Sequence, residues 1–261
     1  MRQLIPFTDG QYETPAHHAS AIARLMPTAF FYSEYVRIVF RSSSQAKHSY
    51  YGDEEWASSS REVMQALEDV GVIFEIAGMN NLAGFDRPCV FIGNHMSTLE
   101  TMVLPCIIEP VKDTTFVVKQ SLIDYPVFRY IMRSRNPIVV GRSNPREDLK
   151  AVLDGGSEIL SSGRSIVIFP QTTRTPEFDP KEFNTIGIKL AKKANVPVVP
   201  VALKTDAWGN GKRLKDFGKI DPAKKVHFCF GAPMTIKNRG TEEHIAIIEF
   251  IESKLKDWNK L

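Results

Sequence analysis

The residues best suited to chemistry are a histidine and a glutamate in the stretch 94–100, Asn-His-Met-Ser-Thr-Leu-Glu. An apolar run typical of a buried strand precedes this stretch, and an apolar run that can continue as a helix follows it. His95 is therefore expected in the loop between them, where catalytic side chains are commonly presented. On one continuous helix, His95 and Glu100 would point about 140° apart. They can meet only if His95 lies in the loop and Glu100 in the first helical turn.

Two interpretations of this pair remain open from the residues alone. Ser97 and Glu100 form the Ser-x-x-Glu signature of a capping box, in which Glu100 is structural and His95 is an ordinary loop histidine. In the alternative, His95 is a general base that removes a hydroxyl proton, while Glu100 holds its ring and stabilises the imidazolium.

Three cations follow apolar, strand-like segments directly. Arg142 comes just after one such segment, Arg174 lies in the loop after a second, and Lys119 ends a third. Ligands of open α/β sheets bind beyond the carboxyl ends of the strands, and arginine binds phosphate in a bidentate manner. Either arginine alone is more simply explained by an ion pair with a surface carboxylate. Their shared position makes a fork for a phosphate group the competing interpretation.

The composition is that of an ordinary folded protein. The 261 residues suit one large or two small domains, and a formal net charge of +3 is too small to indicate nucleic-acid binding. The three cysteines each lie in an apolar run, which predicts buried thiols in a reducing, cytoplasmic setting. Residues 1–18 lack the features of a signal peptide, and no apolar run reaches about 18 residues. We therefore expect a protein that is soluble or lies on a membrane surface.

Apolar segments alternate with segments of helical periodicity along most of the chain. This alternation predicts an α/β fold with a mixed, largely parallel sheet of about seven strands flanked by helices. The strands are expected at 72–77, 89–93, 115–119, 137–140, 166–169, 198–203 and 226–230. The helices are expected at 53–70, 98–108, 122–133, 146–161, 182–194 and 242–258.

The N-terminal part needs a separate description. Residues 19–48 are rich in aromatic and aliphatic side chains, and Pro27 divides them, which predicts a short N-terminal helical hairpin. Basic residues beside this apolar surface fit an anchor on an anionic membrane, whereas a helix packed on the main core fits equally well. The predicted regions are an N-terminal helical segment, 1–70, and an α/β domain, 71–261. The basic residues are Arg24, Arg37, Arg41 and Lys47.

A second basic segment, 204–225, is most simply a solvated loop. The alternative is a surface for anionic lipid, an acidic carrier protein or the phosphates of coenzyme A.

Four sequence blocks follow one another in a fixed order. They are Asn94-His95 with Glu100, residues 138–142 (Ile-Val-Val-Gly-Arg), residues 169–175 (Phe-Pro-Gln-Thr-Thr-Arg-Thr) and residues 196–201 (Val-Pro-Val-Val-Pro-Val). Together they resemble the 1-acylglycerol-3-phosphate acyltransferase family, the bacterial lysophospholipid acyltransferases. The resemblance covers roughly residues 70–235. It implies that His95 is the base, that Glu100 orients it, and that the two arginines bind the acceptor phosphate.

The chain departs from the family pattern in two blocks. Glu100 replaces an aspartate, and it is one methylene longer but able to hold the same imidazole. Gln171 and Thr172 stand where the family has glutamate and glycine. They change the charge and the space beside Thr173 and Arg174 in the block 169–175, which we call the acceptor loop. These changes predict that lysophosphatidate is not the best acceptor.

The resemblance implies direct transfer of a fatty acyl group to a hydroxyl of a lysophospholipid or acylglycerol phosphate, in phospholipid biosynthesis or remodelling. Acyl-coenzyme A or acyl carrier protein would be the co-substrate, with no further cofactor and no metal. Backbone N–H groups near Ser97 and Thr98, at a helix N-terminus, are candidates to stabilise the oxyanion. We expect a cytoplasmic protein, peripheral on the inner face of the cytoplasmic membrane. The alternative is a catalytically weak lipid-binding protein on the same fold.

Overall fold

One mixed sheet of eight strands forms the centre of the computed structural model, which describes residues 4–16, 20–171, 173–212 and 214–260. In chain order the strands are β1 (Tyr12–Glu13), β2 (Phe74–Ala77), β3 (Val90–Gly93), β4 (Thr114–Lys119), β5 (Ile138–Val140), β6 (Ser165–Ile168), β7 (Val198–Lys204) and β8 (Val226–Phe230). Across the sheet their order is β1-β2-β8-β7-β3-β6-β4-β5.

The sheet is largely parallel, as the sequence predicts. Only the pairs β1–β2 and β7–β8 are antiparallel; the other neighbours run in the same direction. The central strands are buried along their whole length, as expected of strands covered on both faces. The additional strand is β1, whose two residues are too few to give a periodic pattern.

Helices cover both faces of this sheet. In chain order, the helices are α1 (Ala21–Leu25), α2 (Pro27–Lys47), α3 (Asp53–Asp69), α4 (Asn80–Ala83), α5 (Leu99–Ile108), α6 (Gln120–Asp124), α7 (Phe128–Ser134), α8 (Pro145–Ser161), α9 (Ile186–Ala194) and α10 (Thr241–Trp258). Two hydrophobic clusters fill the core. One includes Phe31, Val63 and Leu99 of α2, α3 and α5, and the other includes residues of α8, α9 and α10. The result is a layered α/β/α arrangement.

Two predicted helices differ from the structure near a proline. The segment predicted as one helix, 122–133, is divided into α6 and α7, because Pro126 disfavours helical geometry in the residue before it. The helix predicted from 182 begins at Ile186 and follows a single 3-10 turn, Pro180–Glu182.

A side chain from α3 is inserted into α5. Pro105 lies inside α5 and cannot donate a backbone hydrogen bond. The Ser60 hydroxyl, 2.6 Å from the Met102 carbonyl oxygen, donates to it and accepts from the Cys106 N–H at 2.9 Å. It thereby bridges the two groups that an uninterrupted helix would join directly. This contact fixes α5 against α3, and α5 begins at the candidate site.

The N-terminal helices are packed on the core through one face and exposed on another. Pro27 is the first residue of α2, where its missing N–H costs nothing, and α2 extends to Lys47. Phe31 of α2 is fully buried and contacts Trp208 edge-to-face, whereas Phe40 is 59% exposed. The boundary between residues 70 and 71 stays a prediction, although β1 and α3 share the core of the sheet. Among the described residues, no helix is long and apolar enough to cross a membrane.

Candidate active site

His95 and Glu100 meet where β3 leads into α5. His95 Nδ1 lies 2.8 Å from Glu100 Oε1. His95 is in the loop after β3, and Glu100 is in the first turn of α5, which is the arrangement that the five-residue spacing requires. Glu100 is fully buried, so its carboxylate has a fixed set of partners.

The capping interpretation and the catalytic interpretation describe the same carboxylate. Glu100 accepts from the Ser97 N–H, with distances of 2.9 and 3.1 Å to its two oxygens, and from the Met96 N–H at 2.7 Å. The Ser97 hydroxyl oxygen accepts from the Leu99 N–H at 3.1 Å, although the N-cap of α5 is Thr98, one residue later than the Ser-x-x-Glu signature predicts. Because the Ser97 N–H is bonded to Glu100, we do not assign it to an oxyanion.

A threonine that follows the neighbouring strand β7 completes the carboxylate's hydrogen bonds. Thr205, just after β7, donates to Glu100 Oε2 at 2.6 Å, and the Ser97 hydroxyl lies 3.0 Å from the same oxygen. Burial raises the pKa of Glu100, but hydrogen bonds from His95, Thr205 and the Ser97 backbone outweigh it and hold the pKa below its ordinary value. The carboxylate is therefore ionised at neutral pH. In neutral His95, Nδ1–H donates to Glu100 and the basic lone pair is on Nε2.

Residues after β6 hold His95 from the other side. The Phe169 ring stacks on the imidazole, with centroids 4.5 Å apart and planes 7° apart. The Gln171 side-chain oxygen accepts from the His95 N–H at 2.6 Å, and the Thr175 N–H donates to the His95 carbonyl at 3.0 Å. Gln171, which is buried, also donates to the Thr175 hydroxyl at 3.0 Å. The structure thus places Gln171 against the backbone of the histidine loop.

A cavity of about 410 Å³ opens beside His95. Its size is within the range of small-molecule binding sites. Most of its lining is apolar and comes from α2, α5, β4 and the α6–α7 region. The apolar residues include Val36, Val39, Phe40, Met102, Phe116, Val118, Leu122, Phe128 and Met132.

Charged side chains line the same cavity. One of them, Arg135, pairs with Asp53, and the others form a cluster of Lys119, Arg142, Arg174, Lys215 and Asp216. Burial lowers the pKa of Lys119, and the nearby positive charges of both arginines and Lys215 lower it further, while Asp216 raises it. The predicted cations from three strand ends are therefore close enough to act on one another. Such a cluster is suited to a phosphate group.

The two arginines are held differently. Arg142 has a left-handed backbone, with φ 62°, and its N–H donates to Asp148 Oδ2 at 2.8 Å. Its pKa is lowered by burial and by Arg174, against an opposing effect of Asp148. Arg174 pairs with Asp216 at 2.8 Å and donates to the Thr98 hydroxyl.

The remaining predicted residues of the acceptor loop are only partly described. Thr173 lines the cavity, and its hydroxyl lies 3.4 Å from Lys215 Nζ. Thr172 lies outside the described residues.

Sequence reasoning missed three residues around the base: Phe169 as a stacking partner, Thr205 as a donor to Glu100, and Asp216 as a partner of Arg174. Phe169 begins the block 169–175, but the sequence indicates no separate role for it. Thr205 and Asp216 belong to the basic segment 204–225, whose charge indicates a solvated loop or a binding surface. Their contacts with the site span too much sequence for a local pattern to reveal them. The sequence signal that could identify them is their position after β7, at the carboxyl edge of the sheet, where ligands bind.

One group of carboxylates is able to hold a cation on geometry alone. Oxygens of Asp53, Glu109 and Asp113 lie within 4.8 Å of one another. Arg135 pairs with Asp53, and Arg164 pairs with Asp113 at 2.7 Å. These ion pairs already account for two of the three carboxylates.

Comparison with known proteins identifies the class. Residues 73–204, half of the chain, match the protein family described as Acyltransferase. The match extends from β2 to the last residue of β7 and includes all four blocks and the His95–Glu100 pair. The chain belongs to this acyltransferase family.

Individual relatives agree with that assignment. The 1-acyl-sn-glycerol-3-phosphate acyltransferase of Pseudomonas aeruginosa is 35% identical over 132 residues, covering 51% of this chain and 49% of the relative. The enzyme of the same name from Saccharomyces cerevisiae is 29% identical over 136 residues, with 51% and 44% covered. The chain thus spans about half the length of the curated relatives it matches.

A solved structure agrees on the fold. The crystal structure of the 1-acyl-sn-glycerophosphate (LPA) acyltransferase PlsC from Thermotoga maritima matches with a TM-score of 0.65. The match covers 91% of this chain and 97% of that chain, at 22% identity.

Proposed function

We propose that this protein transfers a fatty acyl group from an acyl thioester to a hydroxyl of a lysophospholipid or acylglycerol phosphate, in phospholipid biosynthesis or remodelling. The observation that carries the proposal is the His95–Glu100 pair beside a largely apolar cavity that is also lined by a cluster of cations. The names of the relatives point to the same reaction class.

The reaction is a direct transfer in which His95 first accepts a proton and then returns it. His95 Nε2 takes the proton of the acceptor hydroxyl as its oxygen attacks the thioester carbonyl carbon. The tetrahedral intermediate collapses, the carbon–sulfur bond breaks, and the imidazolium returns the proton to the thiolate. Glu100 holds the ring in the required tautomer and stabilises the imidazolium, the role that the carboxylate plays in a serine-protease triad.

The cations bind the acceptor. Arg142, Arg174 and Lys119 surround the phosphate, and arginine pairs with phosphate through charge-assisted hydrogen bonds. Fixing the phosphate aligns the hydroxyl with His95, so binding energy is converted into orientation. The apolar lining of the cavity accommodates a fatty chain.

The apolar surface of the cavity continues onto the outside of the protein. Val36 and Phe40 line the cavity and are also exposed, and Leu25 is 83% exposed. This surface supports binding to the anionic inner face of the cytoplasmic membrane through α1 and α2. Arg37 pairs with Glu34 and Arg41 with Glu62, so part of the positive charge is neutralised within the protein.

The decisive experiment for the reaction is a substrate panel. Wild-type protein is incubated with labelled acyl-coenzyme A or acyl carrier protein and with a series of lysolipids, and acylated products are separated and quantified. Turnover with at least one pair supports the proposal and names the donor. Lipid binding without turnover for every pair rejects it in favour of a lipid-binding protein.

The role of the arginines is tested on the same panel. Arg142→Gln and Arg174→Gln are expected to raise the KM for the acceptor while changing the KM for the donor little. Arg146→Gln, on α8 and not among the residues lining the cavity, is the matched control. Equal effects on both substrates would contradict the phosphate assignment.

Membrane binding has its own test. The protein is expected to float with vesicles containing anionic lipid, and Leu25→Ser with Phe40→Ser is expected to weaken flotation. Because Arg37 and Arg41 form internal ion pairs, high salt should weaken it only in part. Unchanged flotation in the double variant would exclude this surface.

A further inference from the structure

Asp216 is the one acidic residue among the described residues that line the cavity. Its Oδ1 lies 2.8 Å from Arg174 Nη2, and the Thr98 hydroxyl donates to it at 3.3 Å. Arg174 in turn donates to the Thr98 hydroxyl. A guanidinium and a hydroxyl are the donors that a phosphate oxygen would use. One edge of the arginine proposed to bind the acceptor therefore already carries a carboxylate.

The loop that carries Asp216 is held on both sides. The Asn210 side chain donates to the Met96 carbonyl in the histidine loop at 2.9 Å. The Tyr32 hydroxyl of α2 donates to the Gly218 carbonyl at 2.7 Å, and its ring lies 5.5 Å from that of Phe217. These contacts fix the β7–β8 loop before and after Asp216. The carboxylate is thus a built part of the acceptor end of the cavity.

Charge and geometry favour the same kind of head group. A phosphomonoester carries nearly two negative charges at neutral pH and presents three terminal oxygens, whereas a phosphodiester carries one charge and presents two. Repulsion by Asp216 grows with the charge of the ligand. Because Asp216 and Thr98 occupy one edge of Arg174, the third oxygen of a monoester also has fewer donors.

Resting on the proposed function, we propose that Asp216 is a specificity-determining residue that selects lysophospholipids with a monoanionic phosphodiester head group over lysophosphatidate. Asp216 offsets one of the four positive charges of the cluster and shields one edge of Arg174. It thereby weakens the preference for a dianion that four cations alone would give.

The test compares acceptors in wild type and in charge variants. The value of kcat/KM for lysophosphatidate is divided by the value for each of two diesters, lysophosphatidylglycerol and lysophosphatidylethanolamine. Only the second diester carries an ammonium. Wild type is expected to use at least one diester better than lysophosphatidate. Asp216→Asn should move the ratio toward lysophosphatidate by about 5–10-fold, and Asp216→Glu should keep the wild-type preference.

Asp206→Asn is the matched control, because Asp206 lies on the same loop, pairs with Lys224 and does not line the cavity. A ratio that Asp216→Asn leaves unchanged, or that Asp206→Asn shifts equally, overturns the inference. So does a wild type that prefers lysophosphatidate over both diesters.

Binding separates failure of the inference from failure of the proposed function. If no acceptor is turned over, the proposed function is rejected, and the affinities of short-chain lysophosphatidate and lysophosphatidylglycerol are compared by calorimetry. Tighter binding of the monoester to Asp216→Asn than to wild type, with little change for the diester, supports the role of Asp216. Equal changes for both ligands overturn it.

Discussion

Helix α5 carries a buried carboxylate at each end, and the two have opposite surroundings. At the N-terminal end, Glu100 accepts hydrogen bonds from three side chains and two backbone N–H groups. At the C-terminal end, Glu109 accepts one from the Thr114 N–H at 3.0 Å, and its Oε1 has no hydrogen-bond partner in the described part of the chain.

The difference appears in their acidity. Burial raises the pKa of both groups, but at Glu100 the donors outweigh it and the pKa is below its ordinary value. At Glu109, burial together with the charges of Asp113 and Asp53 raises the pKa to about 8. The helix dipole acts in the same directions, since it favours an anion at the N-terminus and disfavours one at the C-terminus. A buried carboxylate therefore remains ionised only where donors are supplied, and here they are supplied beside the histidine.

The largest effect is expected from neutralising each carboxylate in turn. Glu100→Gln should lower turnover by about 10²–10⁴-fold, because the imidazolium loses its counter-charge and the ring its preferred tautomer. Glu109→Gln, the same change at the other end of the helix, should leave turnover nearly unchanged. Glu100→Asp should keep substantial activity. Similar losses in Glu100→Gln and Glu109→Gln would show that the contrast has no catalytic meaning.

Removing a donor should make Glu100 more like Glu109. Thr205→Val removes a 2.6 Å hydrogen bond and is expected to cost about 1.5–3 kcal/mol of unfolding free energy. Turnover should fall as well, but less than in Glu100→Gln. Thr205→Ser keeps the hydroxyl and is the control. Wild-type turnover in Thr205→Val, despite lost stability, would make this contact purely structural.

The smallest expected effect is a pH dependence of stability that arises from Glu109. Its folded-state pKa is about 8, whereas the ordinary value is 4.5, so between these values the folded protein holds a proton that the unfolded chain has released. Its contribution is present below pH 4.5 and is lost as the pH rises through 8. The free energy of unfolding, measured with urea, should fall in the wild type as the pH rises from acid to 8, but not through this group in Glu109→Gln. The free energy of unfolding of the variant, relative to that of the wild type, should therefore rise by about 1–2 kcal/mol over this range. Parallel pH profiles would contradict the assigned shift.

The sequence predicted the Glu100 end of α5 well because its key contacts are local. The spacing of His95 and Glu100 and the Ser-x-x-Glu cap are visible in a few consecutive residues. The apolar runs that form β3, β6 and β7 are equally local, and their parallel pairing places the loops that follow them at one edge of the sheet.

What the sequence did not predict depends on long-range pairing. Thr205 reaches Glu100 only because β7 lies beside β3 in the sheet. Asp216 reaches Arg174 through a loop whose course no local pattern specifies. Gln171, interpreted from the sequence as part of the acceptor site, is turned toward the His95 backbone instead of lining the cavity.

The role of His95 as general base is tested most directly by acyl transfer in His95→Ala, measured with labelled acyl-coenzyme A or acyl carrier protein and the best acceptor. His48→Ala, at an exposed histidine near the end of α2, is the control. Turnover in His95→Ala is expected to fall by about 10²–10⁴-fold, with circular dichroism and Tm close to wild type. Near wild-type turnover in a folded His95→Ala variant would contradict the mechanism.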